Sequence, residues 1–184
     1  MSDSLLCCGP VLSPGNPLSD AVQWNEPPAD IVWNEWGPAR RVRIEHAPVM
    51  LFARAVKDDD PVYASESAAQ AAGFERVPAP PTYTFVMTHA GAFPDLQVEA
   101  QPPPPSADQF TGGGLYLHGE QHFTYHRTVG VGDVLEARMR TSQPVAREGR
   151  RGPLQVTWYQ TRWTELDGTP VVDELIVSLY FPNG

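Results

Sequence analysis

Four alternating segments crowded into the C-terminal part of this chain constrain its fold more than anything else in the sequence. Residues 114–127, 133–147, 154–166 and 170–181 each alternate apolar and polar side chains, as a strand with one buried face does. The last is the clearest. Val171, Leu175, Val177, Leu179 and Phe181 share one side with Asp173 as the exception, while Glu174 and Ser178 fall on the other. Three turn signals separate the segments: Val129-Gly130-Val131-Gly132-Asp133, Arg147-Glu148-Gly149-Arg150-Arg151-Gly152 and Leu166-Asp167-Gly168-Thr169. Joins this short cannot carry a crossover, so the strands pair antiparallel.

The preceding residues read differently. Residues 41–45 alternate as one more strand, and residues 46–56 follow with a helical apolar repeat at Val49, Phe52, Ala53 and Val56. A short helix is expected over 65–72, with Ser65 or Ser67 as its cap and Gly73 as its stop. Pro81 sits where a helix tolerates proline, in the first turn, and the segment 82–90 after it is apolar over most of its circumference. Such a helix is enclosed on nearly all sides. The expected architecture is α+β, an antiparallel sheet wrapped around a central helix, with a Pro- and Gly-rich loop over 94–113. Residues 1–40 form an irregular arm rich in proline. Its Trp24, Trp33 and Trp36 are too large to leave in water, so the arm lies against the domain or a partner. Residues 41–184 form the single domain.

Composition removes several functions. A net charge of -9 leaves no basic stripe for nucleic acid. Arg40, Arg41 and Arg43, and again Arg147, Arg150 and Arg151, are local clusters that suit either an anionic ligand such as a CoA diphosphate or plain solvated turns. No apolar run is long enough to span a bilayer, and the N-terminus lacks the basic flank of a signal peptide, so a cytoplasmic protein is expected. Cys7 and Cys8 are adjacent, which disfavours a disulfide between them, and no Cys/His spacing suits a metal. Phosphate-loop, dinucleotide and nucleophile-elbow fingerprints are missing, so no cofactor is expected.

One stretch carries chemistry. Lys57-Asp58-Asp59-Asp60-Pro61-Val62-Tyr63, with Val77-Pro78-Ala79-Pro80-Pro81-Thr82-Tyr83, Leu117-His118-Gly119-Glu120-Gln121 and Tyr125-His126-Arg127 before Val131-Gly132-Asp133, resembles the MaoC-like dehydratases. These are hot-dog proteins that hydrate 2-enoyl thioesters or dehydrate 3-hydroxyacyl thioesters. The resemblance covers residues 41–181 and is strongest to the N-terminal, substrate-shaping half of two-part members. It implies a hot-dog fold, an acyl-CoA or acyl-carrier-protein thioester as ligand, and a catalytic MaoC-like hydratase subunit as partner. It also implies Asp58 and Tyr63 at the positions of the catalytic Asp/His pair, and Thr82, Tyr83, His118 and His126 as substrate-binding residues.

The departures from the family pattern are as informative as the matches. Catalytic members read roughly Gly-Asp-x-Asn-Pro-x-His in this loop, whereas here Asp60 replaces the Asn and Tyr63 the His. A phenol with a pKa near ~10 cannot serve as the base, although it can donate a hydrogen bond. The family's central helix begins with a Gly whose N–H approaches the thioester oxygen, but this chain has Pro80-Pro81, which carry no N–H. His118, His122 and His126 recur every four residues, so along a regular strand they share a side, neighbours lying ~13 Å apart. The resulting expectation is a non-catalytic subunit that shapes a bulky acyl pocket, such as one for a long chain or steroid side chain, while its partner supplies the Asp and His. Two alternatives stand beside it. One is a self-sufficient homomeric hydratase or hot-dog thioesterase using Asp58 or Glu120 with His118 or His126. The other is a non-catalytic acyl-CoA-binding scaffold.

Overall fold

The computed structural model describes residues 26–88, 113–150 and 152–182. Strand β1 (Arg40–Arg43) leads into α1 (His46–Ala55). A single 3-10 turn (Pro61–Tyr63), α2 (Glu66–Ala71) and α3 (Tyr83–Thr88) follow. Five strands complete the chain: β2 (Leu115–Tyr125), β3 (Val134–Thr141), β4 (Val145–Gly149), β5 (Gly152–Thr164) and β6 (Pro170–Phe181). All pairings are antiparallel, in the order β1-β3-β5-β6-β2, with β4 also on β5. The sheet with its short helices is the α+β hot-dog architecture expected. Cys7, Cys8, Trp24, His89 and the rest of the loop over 94–112 lie outside the described residues.

Two sequence expectations are corrected in detail. Residues 133–147 are not one strand: β3 ends at Thr141 and β4 starts at Val145, both on β5. Pro144 lacks the N–H a continuous ladder needs. The interruption is instead sealed at Ser142, whose N–H donates to the Trp158 carbonyl and whose Oγ accepts from the Trp158 N–H. Val56 caps α1 and is exposed rather than buried, while Val49 and Ala53 carry the buried face. Ser65, not Ser67, caps α2, accepting from the Ala68 N–H, and Gly73 ends it at φ 92°.

The sheet buries apolar surface on both faces. On the helix side, Tyr83 and Met87 of α3 and Val49 of α1 pack with Val42, Leu135, Ala137, Trp163 and Val172. On the outer side, Leu154, Val156, Trp158 and Val177 are covered by Ile31 and Trp33 of the arm. That arm runs along the free edge of β3. The Asn34 N–H donates to the Thr141 carbonyl, the Gly37 N–H to that of Met139, and Trp33 bridges Ser142. The Arg140 guanidinium is held between two indoles, 4.3 Å from the Trp33 ring centre and 4.6 Å from that of Trp36. Burial, then the charge of Arg162, lowers the Arg140 pKa from its ordinary value. Trp33 and Trp36, two of the tryptophans predicted to need cover, thus find it in stacked arginine.

Candidate functional site

The loop after α1 is shaped by its own carboxylates. Lys57 takes φ 61°, turning the chain sharply out of the helix, and the Asp58 N–H still donates to the Ala53 carbonyl. Asp58 Oδ1 accepts from the Asp60 N–H at 3.3 Å, and Asp60 Oδ1 caps the 3-10 turn by accepting from the Val62 N–H at 3.0 Å. The turn brings Tyr63 back into the neighbourhood of Asp58, whose carboxylate acts on the phenol. Burial first, then the Asp58 charge and hydrogen bond, then the Asp60 charge, raise the Tyr63 pKa above its ordinary value. The raised pKa keeps the phenol protonated, and a protonated phenol has no tendency to take a further proton.

The start of α3 is clamped from the sheet. The Tyr83 N–H donates to the Pro80 carbonyl and the Phe85 N–H to that of Thr82, while the Tyr125 hydroxyl donates to the Pro81 carbonyl. Ahead of it, the Ala79 N–H donates to the Val129 carbonyl and the Val131 N–H to that of Val77. Thr82 is exposed at the helix start. Tyr83 is 1% exposed, its ring edge-on to Phe52 in the main core.

Asp133 fastens the same turn. Its buried carboxylate accepts from the Arg127 Nη1 and pairs with the Arg76 Nη1, both at 2.7 Å, and accepts from the Gly130 N–H at 2.9 Å. Arg127 also bonds Glu165 at 2.8 Å. Burial works to lower the Arg127 pKa, but its bonds and charge contacts with Asp133 and Glu165 prevail and raise it. The Tyr125-His126-Arg127 and Val131-Gly132-Asp133 motifs are therefore two halves of one lock. Sequence reading found both motifs and missed their mutual bond, and it missed Arg76 altogether.

The three histidines do not share a side. A β-bulge at Gly119 shifts the register, so that His118 pairs with Ser178 and Glu120 with Val177. The extra residue turns His118 to the helix side, where its ring meets Phe85 edge-on at 5.9 Å. His122 and His126 stay on the outer side. His122 Nε2 lies 3.1 Å from Glu120 Oε2, and His126 Nε2 lies 2.9 Å from Asp173 Oδ2. Asp173 is also 3.5 Å from the Arg162 Nε. Among the described residues no group of histidine, cysteine and carboxylate side chains could hold a metal ion.

Comparison with known proteins gives the lineage. The sequence family described as the FAS1-like, dehydratase domain region, matches residues 34–174. A UPF0336 protein of Saccharopolyspora erythraea is 28% identical over 143 residues, 76% of this chain and 82% of that one. Another, from Parafrankia sp., is 37% identical over 110 residues, 59% of this chain and 66% of that one. Among solved structures, the HadBC (3R-hydroxyacyl-ACP dehydratase) complex of Mycobacterium tuberculosis is 25% identical with a TM-score of 0.52, covering 76% of this chain and 92% of its own. The ChsH1–ChsH2 complex of the same organism is 18% identical with a TM-score of 0.62, covering 81% and 85%. The chain thus belongs to the FAS1-like dehydratase-domain family and has the hot-dog fold.

Proposed function

We propose that this chain is the non-catalytic subunit of a heteromeric enoyl-thioester hydratase, shaping the acyl pocket while a catalytic MaoC-like partner supplies the Asp and His. The single observation that carries the reading is the phenol of Tyr63 in the place of the histidine, with its pKa raised by burial and by the nearby Asp58. Hydration needs a base for the water proton and an acid for the α-carbon. Here the second position holds a phenol whose pKa is raised by burial and by the nearby carboxylate of the first, so it is no base. The helix start supports the same reading, because Pro80 and Pro81 donate nothing and the Tyr83 N–H is turned back to the Pro80 carbonyl. That both HadBC and ChsH1–ChsH2 are complexes adds to it. The ligand is an acyl-CoA or acyl-carrier-protein thioester, with Thr82 and His118 at the pocket's mouth and wall.

The self-sufficient alternative draws less support. Glu120 and His126 stand on the outer face, whereas α1, which carries the Asp58 loop, packs on the helix side; His118 does face that side, but its ring is engaged edge-on by Phe85. The decisive experiment offers the purified chain alone a panel of trans-2-enoyl-CoAs and follows loss of the enoyl absorbance. The expected result is no turnover. Steady hydration that Asp58→Asn abolishes would refute the reading.

A further inference from the structure

On the outer face of the sheet, arginine is set against arginine. Arg138 of β3 lies directly opposite Arg162 of β5 in the antiparallel register, and Arg162 lies opposite Asp173 of β6. Side chains so paired start about 5 Å apart, and like charges there destabilise a sheet. The chain has ample means to avoid this, with 22 acidic residues against 13 lysines and arginines. Yet Asp173 is the one carboxylate in the row Thr124-Asp173-Arg162-Arg138, and it sits 2.9 Å from His126 but 3.5 Å from Arg162. Arg138 itself is exposed and makes no ion pair or hydrogen bond among the described residues. A local rule broken with no compensating contact marks a functional position. Beside the pair lies a hollow of about 460 Å3, within the size range of small-ligand sites. Arg138, Arg162 and Thr164 line it from the sheet, Trp36 from the arm and the exposed Leu166 from the turn after β5. Its carboxylates are each engaged: Glu136 by Arg41 at 2.9 Å, Glu165 by Arg127 at 2.8 Å and Asp167 by the Thr169 N–H at 2.9 Å. The Arg162 guanidinium lies 5.0 Å from the Trp36 ring centre, a contact that holds its orientation.

We propose that the Arg138–Arg162 pair binds the phosphoryl group of a small phosphate monoester whose apolar body lies against Trp36 and Leu166. Two guanidiniums facing one hollow bring two positive charges, and a phosphate monoester carries about -1.5 to -2 at neutral pH with three acceptor oxygens. A carboxylate or sulfonate brings a single charge and leaves one arginine uncompensated. The planar guanidinium fork also matches phosphate oxygens two at a time, which a lysine pair would not do. The indole and the leucine offer apolar surface that a bare inorganic ion cannot use. This hollow opens on the face opposite α1 and α3, away from the elements that carry the Asp58 loop, so its occupant is not the acyl chain. The proposal is independent of the hydratase reading.

The test titrates phenyl phosphate, benzenesulfonate and inorganic phosphate calorimetrically into the full chain at low salt, where surface charge is least screened. Phenyl phosphate is expected to bind at least tenfold tighter than benzenesulfonate, which keeps the ring with one charge, and at least fivefold tighter than inorganic phosphate, which lacks the ring. Arg138→Gln should weaken phenyl phosphate at least tenfold, whereas Arg147→Gln, in a separate arginine cluster, should change it less than twofold. Because Arg138→Gln also relieves the facing charge on Arg162, its Tm should equal or exceed that of the parent chain. Absence of phenyl phosphate binding, equal affinity for either of the other two probes, or an equal loss in Arg147→Gln would overturn the proposal. A lower Tm for Arg138→Gln would overturn it too, since the arginine would then be holding the sheet together.

Discussion

Asp133→Asn should be the most damaging conservative substitution in this domain. The carboxylate is 5% exposed and serves three donors, Arg127, Arg76 and the Gly130 N–H, at 2.7–2.9 Å. An amide of the same shape keeps one acceptor oxygen and points an NH2 group at a guanidinium. The two arginines differ in exposure, 48% for Arg76 and 29% for Arg127, so part of the loss is screened by water. Breaking a fully buried pair by removing one partner costs about 3–5 kcal/mol, and partial exposure places this one near the lower bound, about 3 kcal/mol. For a domain of this size that lowers Tm by roughly 6–12 °C. Urea unfolding followed by tryptophan fluorescence supplies the free energy, and calorimetry the Tm. Glu165→Gln is the control, since Glu165 is 42% exposed and its bond to Arg127 should be worth less than about 1 kcal/mol. A loss below about 1 kcal/mol for Asp133→Asn, or equal losses for the two variants, would refute the lock as described.

Three further predictions follow from particular contacts. Removing the guanidinium in Arg140→Ala, which sits between Trp33 and Trp36, should loosen the arm and cost about 1–2 kcal/mol, read as faster proteolytic cleavage ahead of residue 40; an unchanged cleavage rate would contradict it. Thr84 is 1% exposed, and its Oγ1 has no hydrogen-bond partner among the described residues, so Thr84→Val should leave stability unchanged or raise it by up to about 1 kcal/mol in urea unfolding, whereas a clear loss would mean the hydroxyl is satisfied. The raised pKa of Tyr63 means its protonated form is favoured by folding. Its contribution is fully present below the ordinary tyrosine pKa of ~10 and is lost as pH rises through the higher folded value. In the tyrosinate difference spectrum against Tyr63→Phe, Asp58→Asn should move that titration to lower pH, and an unmoved midpoint would count against the Tyr63–Asp58 contact.

Much of the fold was legible because period-2 alternation and short turns leave few arrangements open. Asp60-Pro61 as a turn start, Ser65 as a cap and Gly73 as a stop are local chemistry that sequence displays directly. What escaped was decided between distant segments. The bulge at Gly119 turns His118 to the helix side, and one inserted residue is invisible to a count of every fourth position. The apolar side of β6, clear in the sequence, lies from Leu175 to Phe181 in the cluster that Ile31 and Trp33 of the arm cover, and only Val171 joins the core with α3. Arg140 and Arg162, separate in sequence, are joined on that face by Trp36, a pairing that no local run of charge announces. At the candidate site the sequence displayed the absent histidine, but the consequence, a half-buried phenol whose pKa is raised beside the carboxylate it should assist, needed the turn at Asp60 to be folded.

The central claim is that this chain completes a hydratase without performing its chemistry, and reconstitution tests that most directly. The chain is purified alone and together with a MaoC-like subunit that carries the full Asp/His loop. Each preparation is run on a sizing column and assayed for hydration of trans-2-enoyl-CoAs. The account predicts co-elution of the two chains and turnover in the mixture, none with this chain alone, and a mixture rate at least tenfold above that of the partner by itself. Independent elution, or a partner whose rate and acyl preference are unaltered by this chain, would contradict it.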